Sequence, residues 1–308
     1  MQFGTRKDNL ITSILKGNNT LHKLILINVL IYIIVGIIEV VFILFKLKMP
    51  VFYSIWNNLS LSALPHQVIL KPWTLLTYMF MHSGFFHILF NMLMLYWFGK
   101  IFMDYLFNRK LLTTYILGGL SGALLYLLAY QFIPYLQERA PMLGMVGASA
   151  SVVAIIVATA TLLPNYQVML MFIGAVKLKY IAIVLVLIDV LSLKGTNTGG
   201  HFAHLGGALY GFIYVVQLQK GRDIGAWLGV IFDAVFKFII GLFRPAPRTK
   251  PFKVYRNEDK TPNQPHPNKQ TRPDPKIIDD ILDKIAKSGY ESLSEKEKDI
   301  LFNASKKV

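Results

Sequence analysis

The sequence predicts an all-α membrane protein, a bundle of six membrane-spanning helices followed by an interfacial helix and a small helical hairpin. Three observations carry this reading. Hydrophobic residues make up 54% of the 308-residue chain and charged ones only 16%, against roughly 45–50% and about 25% in soluble domains. The apolar residues are gathered in blocks close to the length that crosses a bilayer. Basic residues are denser in every second loop, as the tendency of positive loops to stay inside requires.

The apolar runs are 24–45, 78–98, 111–133, 146–163, about 178–193 and 200–219. A span needs ~20 residues, with ~17 tolerable. The fifth run is therefore short, and Lys177 and Lys179 at its start snorkel to the interface. Arg6, Lys7, Lys16 and Lys23 precede the first run, Lys100, Arg109 and Lys110 separate the second from the third, and Lys220 and Arg222 follow the sixth. Lys177 and Lys179 belong to the same side. The opposite loops hold Lys46, Lys48 and Lys71, then Arg139, then Lys194. The balance places both termini in the cytoplasm of a cell membrane.

Residues 1–23 are then a cytoplasmic segment without a signal peptide, since the first run follows a basic stretch and has no small-residue cleavage site behind it. The absence of cysteine excludes disulfides, a thiolate zinc site and a cysteine nucleophile. The net charge of +15 does not call for nucleic acid, because much of it lies in loops and a tail where it orients helices.

Beyond the six-helix core of 24–219, residues 220–243 carry small or polar positions at Gly225, Gly229, Asp233, Lys237 and Gly241. Asp233 and Lys237 are spaced to pair as an i, i+4 couple. This reads as an interfacial amphipathic helix, with a seventh span as the alternative. Residues 244–276 hold 8 of the 14 prolines, with nine basic and three acidic residues. That composition makes a linker held near an anionic leaflet. Residues 277–308 form the hairpin. Ile277, Ile281, Leu282 and Ile285 line one face, Gly289 stops the first helix, and Ser294-x-x-Glu297 caps the second. So small a unit buries too little surface to stand alone, so a cytoplasmic partner is expected for it.

Two short motifs far apart suggest hydrolytic chemistry inside the membrane. They are Gly147-Ala148-Ser149 and Ala203-His204-Leu205-Gly206-Gly207, each at the mouth of an apolar run. Polar side chains in hydrocarbon are costly and point to function. Taken alone, Ser149 is most simply a packing residue among Ala150, Ala154 and Ala158. The soluble nucleophile-elbow pattern is not matched, because Ser151 stands where its second glycine belongs. His204 is a general base able to activate that serine, or an imidazole satisfied by a neighbouring helix. Gly207 and Gly211 would press their helix against the alanine face and bring the pair together.

His87 and Asn91, four apart and so on one face, are placed to stabilise an oxyanion with the backbone N–H of Ser149. Runs two, four and six all travel inward, so these groups share a layer about 5–10 Å below the outer surface. Asp189 is taken as structural, pairing in a loop, and a Ser–His dyad without a carboxylate is the expected form.

The pattern resembles the rhomboid family of intramembrane serine proteases over roughly 24–219. The resemblance rests on Trp73, Thr77 and His82, on His87-x-x-x-Asn91, on Gly147-x-Ser149, and on Ala203 to Gly207. It implies a six-helix core with a water-filled cavity and cleavage of single-pass membrane proteins near their outer boundary. It implies nucleophile, base and oxyanion roles for Ser149, His204, and His87 with Asn91. The partners implied are substrate transmembrane helices and the lipid bilayer, with no cofactor and no metal.

Three positions depart from the family pattern. Thr74 follows Trp73 where an arginine is usual, and Ala150 replaces a glycine. Val153 stands where some members set a tyrosine against the histidine, which leaves His204 less rigidly held. Two rival readings remain, a metal or haem site built on His82, His87, His201 and His204, and a catalytically silent binder of transmembrane clients.

Overall fold

The computed structural model describes residues 19–138, 144–171, 173–231, 234 and 275–305. These are mostly helical and belong to two compact units, Met1–Arg244 and Pro245–Val308. Arg6, Lys7, Lys16, Arg139, the Asp233–Lys237 couple and the linker up to residue 274 lie outside the described residues.

In the first unit α1 (Thr20–Leu44) begins where the Asn19 side chain accepts a bond from the His22 N–H. That satisfies one of the free N–H groups of the first turn. Only Leu21, Leu24 and Asn28 of α1 are buried, so most of its length presents apolar side chains outward. The exception explains itself. Asn28 donates to the Leu24 carbonyl and to the Tyr115 hydroxyl, and Tyr115 donates to the Met79 carbonyl at 3.0 Å.

Short helices α2 (Met49–Leu59), α3 (Pro65–Leu70) and α4 (Thr74–Thr77) follow, with a 3-10 turn at Tyr78–Phe80. The Trp73 indole donates to the Asn58 carbonyl, and the Thr77 hydroxyl to that of Leu59. The second apolar run is therefore not one helix from residue 78. Its helix, α5 (Phe85–Tyr105), begins after extended Gly84, and Tyr78 and His82 stand in the approach to it.

The chain continues through α6 (Asn108–Phe132), α7 (Pro134–Gln137) and α8 (Ser149–Leu162). A hairpin of β1 (Gln167–Leu170) and β2 (Gly174–Lys177), with Gln167 opposite Lys177, stands where a plain loop is expected. Next come α9 (Leu178–Leu191), a 3-10 turn at Ser192–Lys194, and α10 (Thr198–Gln219). Residues 226–231 are helical, and the rest of 232–243, apart from 234, lies outside the described residues. Among the described residues α1, α5 and α6 are long and apolar enough to cross a membrane.

The centre is α8. Every residue from 150 to 160 is buried, with α5, α6 and α10 packed around it. Small residues make this possible. A Cβ on Gly207 would lie 2.1 Å from the Ala150 carbonyl oxygen, and one on Gly211 would lie 2.2 Å from that of Ala154. On the other side a Cβ on Gly118 would meet the Ala154 methyl at 2.3 Å. Close backbones let dispersion hold helices where water supplies no drive. The far end is clamped by Lys110, whose ammonium reaches Asp223 at 2.8 Å.

The second unit holds α11 (Pro275–Ser288), a 3-10 turn at Tyr290–Ser292, and α12 (Glu295–Ser305). Gly289, with φ +78°, ends α11 in a conformation that favours glycine. Ser294 and Glu297 form the reciprocal cap: the Ser294 N–H donates to Glu297 Oε2 at 2.7 Å and the Glu297 N–H to Ser294 Oγ at 3.4 Å. Ile281 and Leu293 are buried, whereas Ile277 and Leu282 of the expected apolar face are exposed.

Candidate active site

Ser149 is the first residue of α8, so its backbone N–H is among those with no partner inside the helix. The turn before it is anchored twice. Leu61 and Met145 exchange both backbone bonds, at 2.9 and 2.8 Å, and the Gly147 N–H donates to the Tyr78 carbonyl at 2.9 Å. Gly147 has φ +134°, which side chains rarely adopt. A Cβ there would also sit 2.8 Å from His87 Nε2 and 3.5 Å from Ser149 Oγ. His87 and Ser149 therefore border one small space, which the missing side chain leaves open.

His204 lies two turns into α10, and its Nε2 is 2.7 Å from Ser149 Oγ. The glycine–alanine contact between α10 and α8 brings the two side chains together, because Ala150 follows Ser149 and Gly207 lies one turn beyond His204. The Nδ1 of His201, three residues earlier, meets Asp189 Oδ1 at 2.8 Å.

The expectation for Asp189 is corrected. Far from pairing in a loop, it is buried in the last turn of α9, and the same Oδ1 stands 2.8 Å from His204 Nδ1. The histidine that meets Ser149 thus has a carboxylate behind it. Asp189 is the one acid in α9, and His201 and His204 share a helical face. Those were the signals available. What the sequence lacked was the placement of α9 against α10.

His87 and Asn91 stand in the first two turns of α5 and line the same cavity as Ser149 and His204, about 700 Å³ in volume. His87 Nδ1 is 3.1 Å from Ser83 Oγ, which leaves Nε2 toward the serine. Asn91 donates one amide hydrogen to the His87 carbonyl at 2.8 Å, and a carboxamide has a second to offer. His82 is buried edge-on to the His87 ring, 5.1 Å between centroids. Val153 lines the cavity too.

The arrangement can transfer an acyl group: a hydroxyl, a base on its proton, a carboxylate behind the base, and N–H donors nearby. Among the described residues, the grouping that could ligate an ion is Asp189, His201 and His204, with ligand atoms within 4.8 Å of one another. The bridging carboxylate oxygen at hydrogen-bond distance from both rings is explained by N–H donation alone.

A helical membrane protein with a serine and a histidine in contact at the mouths of two central helices defines the class. Residues 70–220 match the Rhomboid domain, and the chain belongs to the rhomboid family, a family of intramembrane proteases. RHOMBOID-like protein 12, mitochondrial, of Arabidopsis thaliana is 30% identical over 159 residues, which are 48% of this chain and 47% of that protein. The chain thus spans about half the length of this relative. Residues 268–307 match a family of unknown function, DUF6576.

Proposed function

We propose that this protein is an intramembrane serine endopeptidase that cleaves transmembrane protein substrates near the outer membrane boundary. The observation that carries the reading is the 2.7 Å contact between Ser149 Oγ and His204 Nε2, made between two helix mouths beside a cavity. Ser149 attacks the scissile carbonyl as its proton passes to His204 Nε2, and the negative charge moves to the carbonyl oxygen. The Ser149 backbone N–H, His87 and Asn91 donate to that oxygen. Protonated His204 then gives its proton to the departing amine, and water, deprotonated by the same nitrogen, releases the acyl group.

The six apolar helices α1, α5, α6, α8, α9 and α10 are the spans in this reading. Residues 1–23 precede them, 220–243 lie at the interface, 244–276 are a linker and 277–308 a hairpin. Basic residues Lys100, Arg109, Lys110, Lys220 and Arg222 support an orientation with both termini in the cytoplasm of a cell membrane. The hairpin's exposed Ile277 and Leu282 fit a cytoplasmic partner.

The test is cleavage of a single transmembrane peptide by reconstituted protein. Ser149→Ala and His204→Ala should each remove it while the melting temperature stays unchanged, and Ser149→Ala should also abolish labelling by a fluorophosphonate. Cleavage by either variant at the parent rate would overturn the assignment. His201→Ala should be much milder.

A further inference from the structure

We propose that Asp189 is a positioning residue for His204, and that it acts through the shared carboxylate oxygen that also holds His201. The inference rests on the serine-protease reading above and adds the group that sets the tautomer of its base.

An imidazole that is to accept the Ser149 proton at Nε2 must carry its own hydrogen on Nδ1. An acceptor at Nδ1 enforces this, and Asp189 Oδ1 is there at 2.8 Å. The carboxylate then faces the imidazolium that forms when Ser149 gives up its proton, and stabilises it. Nothing else described does this. Val153 is apolar and offers the ring no hydrogen bond, while Ser149 stands on the Nε2 side.

Burial sharpens the point. Asp189 is 4% exposed on a helix whose other buried residues are only Leu178 and Ala182. A carboxylate in such a place is costly unless donors surround it. Two imidazole N–H groups supply them: His201 keeps the carboxylate satisfied and fixed, and His204 makes use of it. Packing α9 on α10 would need only an apolar residue here, so a purely structural role leaves the charge unexplained.

Asp189→Asn keeps an oxygen for both N–H groups but loses the charge; Asp189→Ala loses both. We expect kcat for a transmembrane peptide to fall about 10³- to 10⁴-fold in each, the loss seen when the aspartate of soluble triads is replaced, by asparagine included, since a carboxamide can turn and donate to Nδ1. KM should stay within about threefold, because Asp189 does not touch substrate. Fluorophosphonate labelling of Ser149 should slow in parallel with kcat. His201→Ala should cost less than about tenfold, since His204 keeps its acceptor.

Nitrogen-15 NMR of wild-type imidazoles gives a readout that needs no variant: His204 should be protonated at Nδ1 and bare at Nε2 near neutral pH. A folded Asp189→Ala with parent kcat, or a wild-type His204 protonated at Nε2, would overturn the inference. If Asp189→Ala fails to fold, Asp189→Asn and the wild-type spectrum decide. Cleavage by Ser149→Ala would instead sink the protease reading, and the two failures are told apart by which variant stays active.

Discussion

Helices α8 and α9 are both 14 residues long and both strongly apolar, yet they live in opposite surroundings. All of 150–160 in α8 is buried, whereas α9 buries only Leu178, Ala182 and Asp189. The difference lies in side-chain size. The sequence of α8 is rich in alanine, serine and threonine, that of α9 in leucine, isoleucine and valine. In water the larger apolar residues would go inside. Against lipid they gain little by doing so, and the helix with small residues takes the centre because backbones can touch there. Size, not hydropathy, sorts this fold.

The largest break in that comparison should come from Gly207→Val. Its Cβ would fall 2.1 Å from a backbone oxygen, which no rotamer relieves, so α10 must move and His204 with it. We expect activity to be lost and the melting temperature to drop, with a cost at or above the ~1–3 kcal/mol typical of overpacking. Val184→Ala on exposed α9 should shift stability by no more than about 0.5 kcal/mol. Equal effects in a thermal melt would refute sorting by size.

Next in size is Asn91→Ala. An oxyanion donor acts on the transition state, so kcat should fall about 10²- to 10³-fold with KM little changed. His87→Ala should behave alike, and turnover assays of both are the check. Unchanged rates in both would make the α5 pair structural.

A smaller effect tests the clamp at the opposite end of α10. Burial pushes the Asp223 carboxyl up, but the bonds from Lys110, the Gly225 N–H and Tyr214 outweigh it and hold it below its usual range. A carboxyl lowered on folding gives stability that is present above its unfolded pKa, about 3.9, and is lost as pH falls through the folded value. The parent should therefore lose its melting-temperature advantage over Asp223→Asn as pH drops below about 4. An advantage that persists at pH 2 would contradict this.

Smallest of all should be truncation after Arg244. No proposed catalytic residue lies beyond His204, so turnover of the same peptide and the melting temperature should match those of the full chain. A folded but inactive truncation would place part of the site in the tail.

That Ser149, His204, His87 and Asn91 meet at one cavity was legible because each proposed site residue announces itself locally: a serine and a histidine at helix mouths, and an i, i+4 His–Asn pair. The contact of Gly207 and Gly211 with Ala150 and Ala154 was legible too, since small residues recur at helical spacing on both partners. Asp189 was read wrongly because its partners lie 12 and 15 residues away across a turn, and periodicity says nothing about how two helices are rotated together. The start of α5 was missed for another reason. Residues 78–84 are as apolar as a helix, and only Ser83-Gly84 marks the break. The β1–β2 hairpin fell in a stretch read only for its lysines.

The length of α8 has a further meaning. At 1.5 Å per residue its 14 residues span ~21 Å, well short of the ~30 Å hydrocarbon layer. A helix exposed to lipid would be forced to match that thickness by tilting or by thinning the bilayer around it. Enclosed by α5, α6 and α10, α8 has no such obligation. The depth of Ser149 is therefore set by protein contacts, and a thinner or thicker bilayer would strain α1 and α5 before it moved the serine.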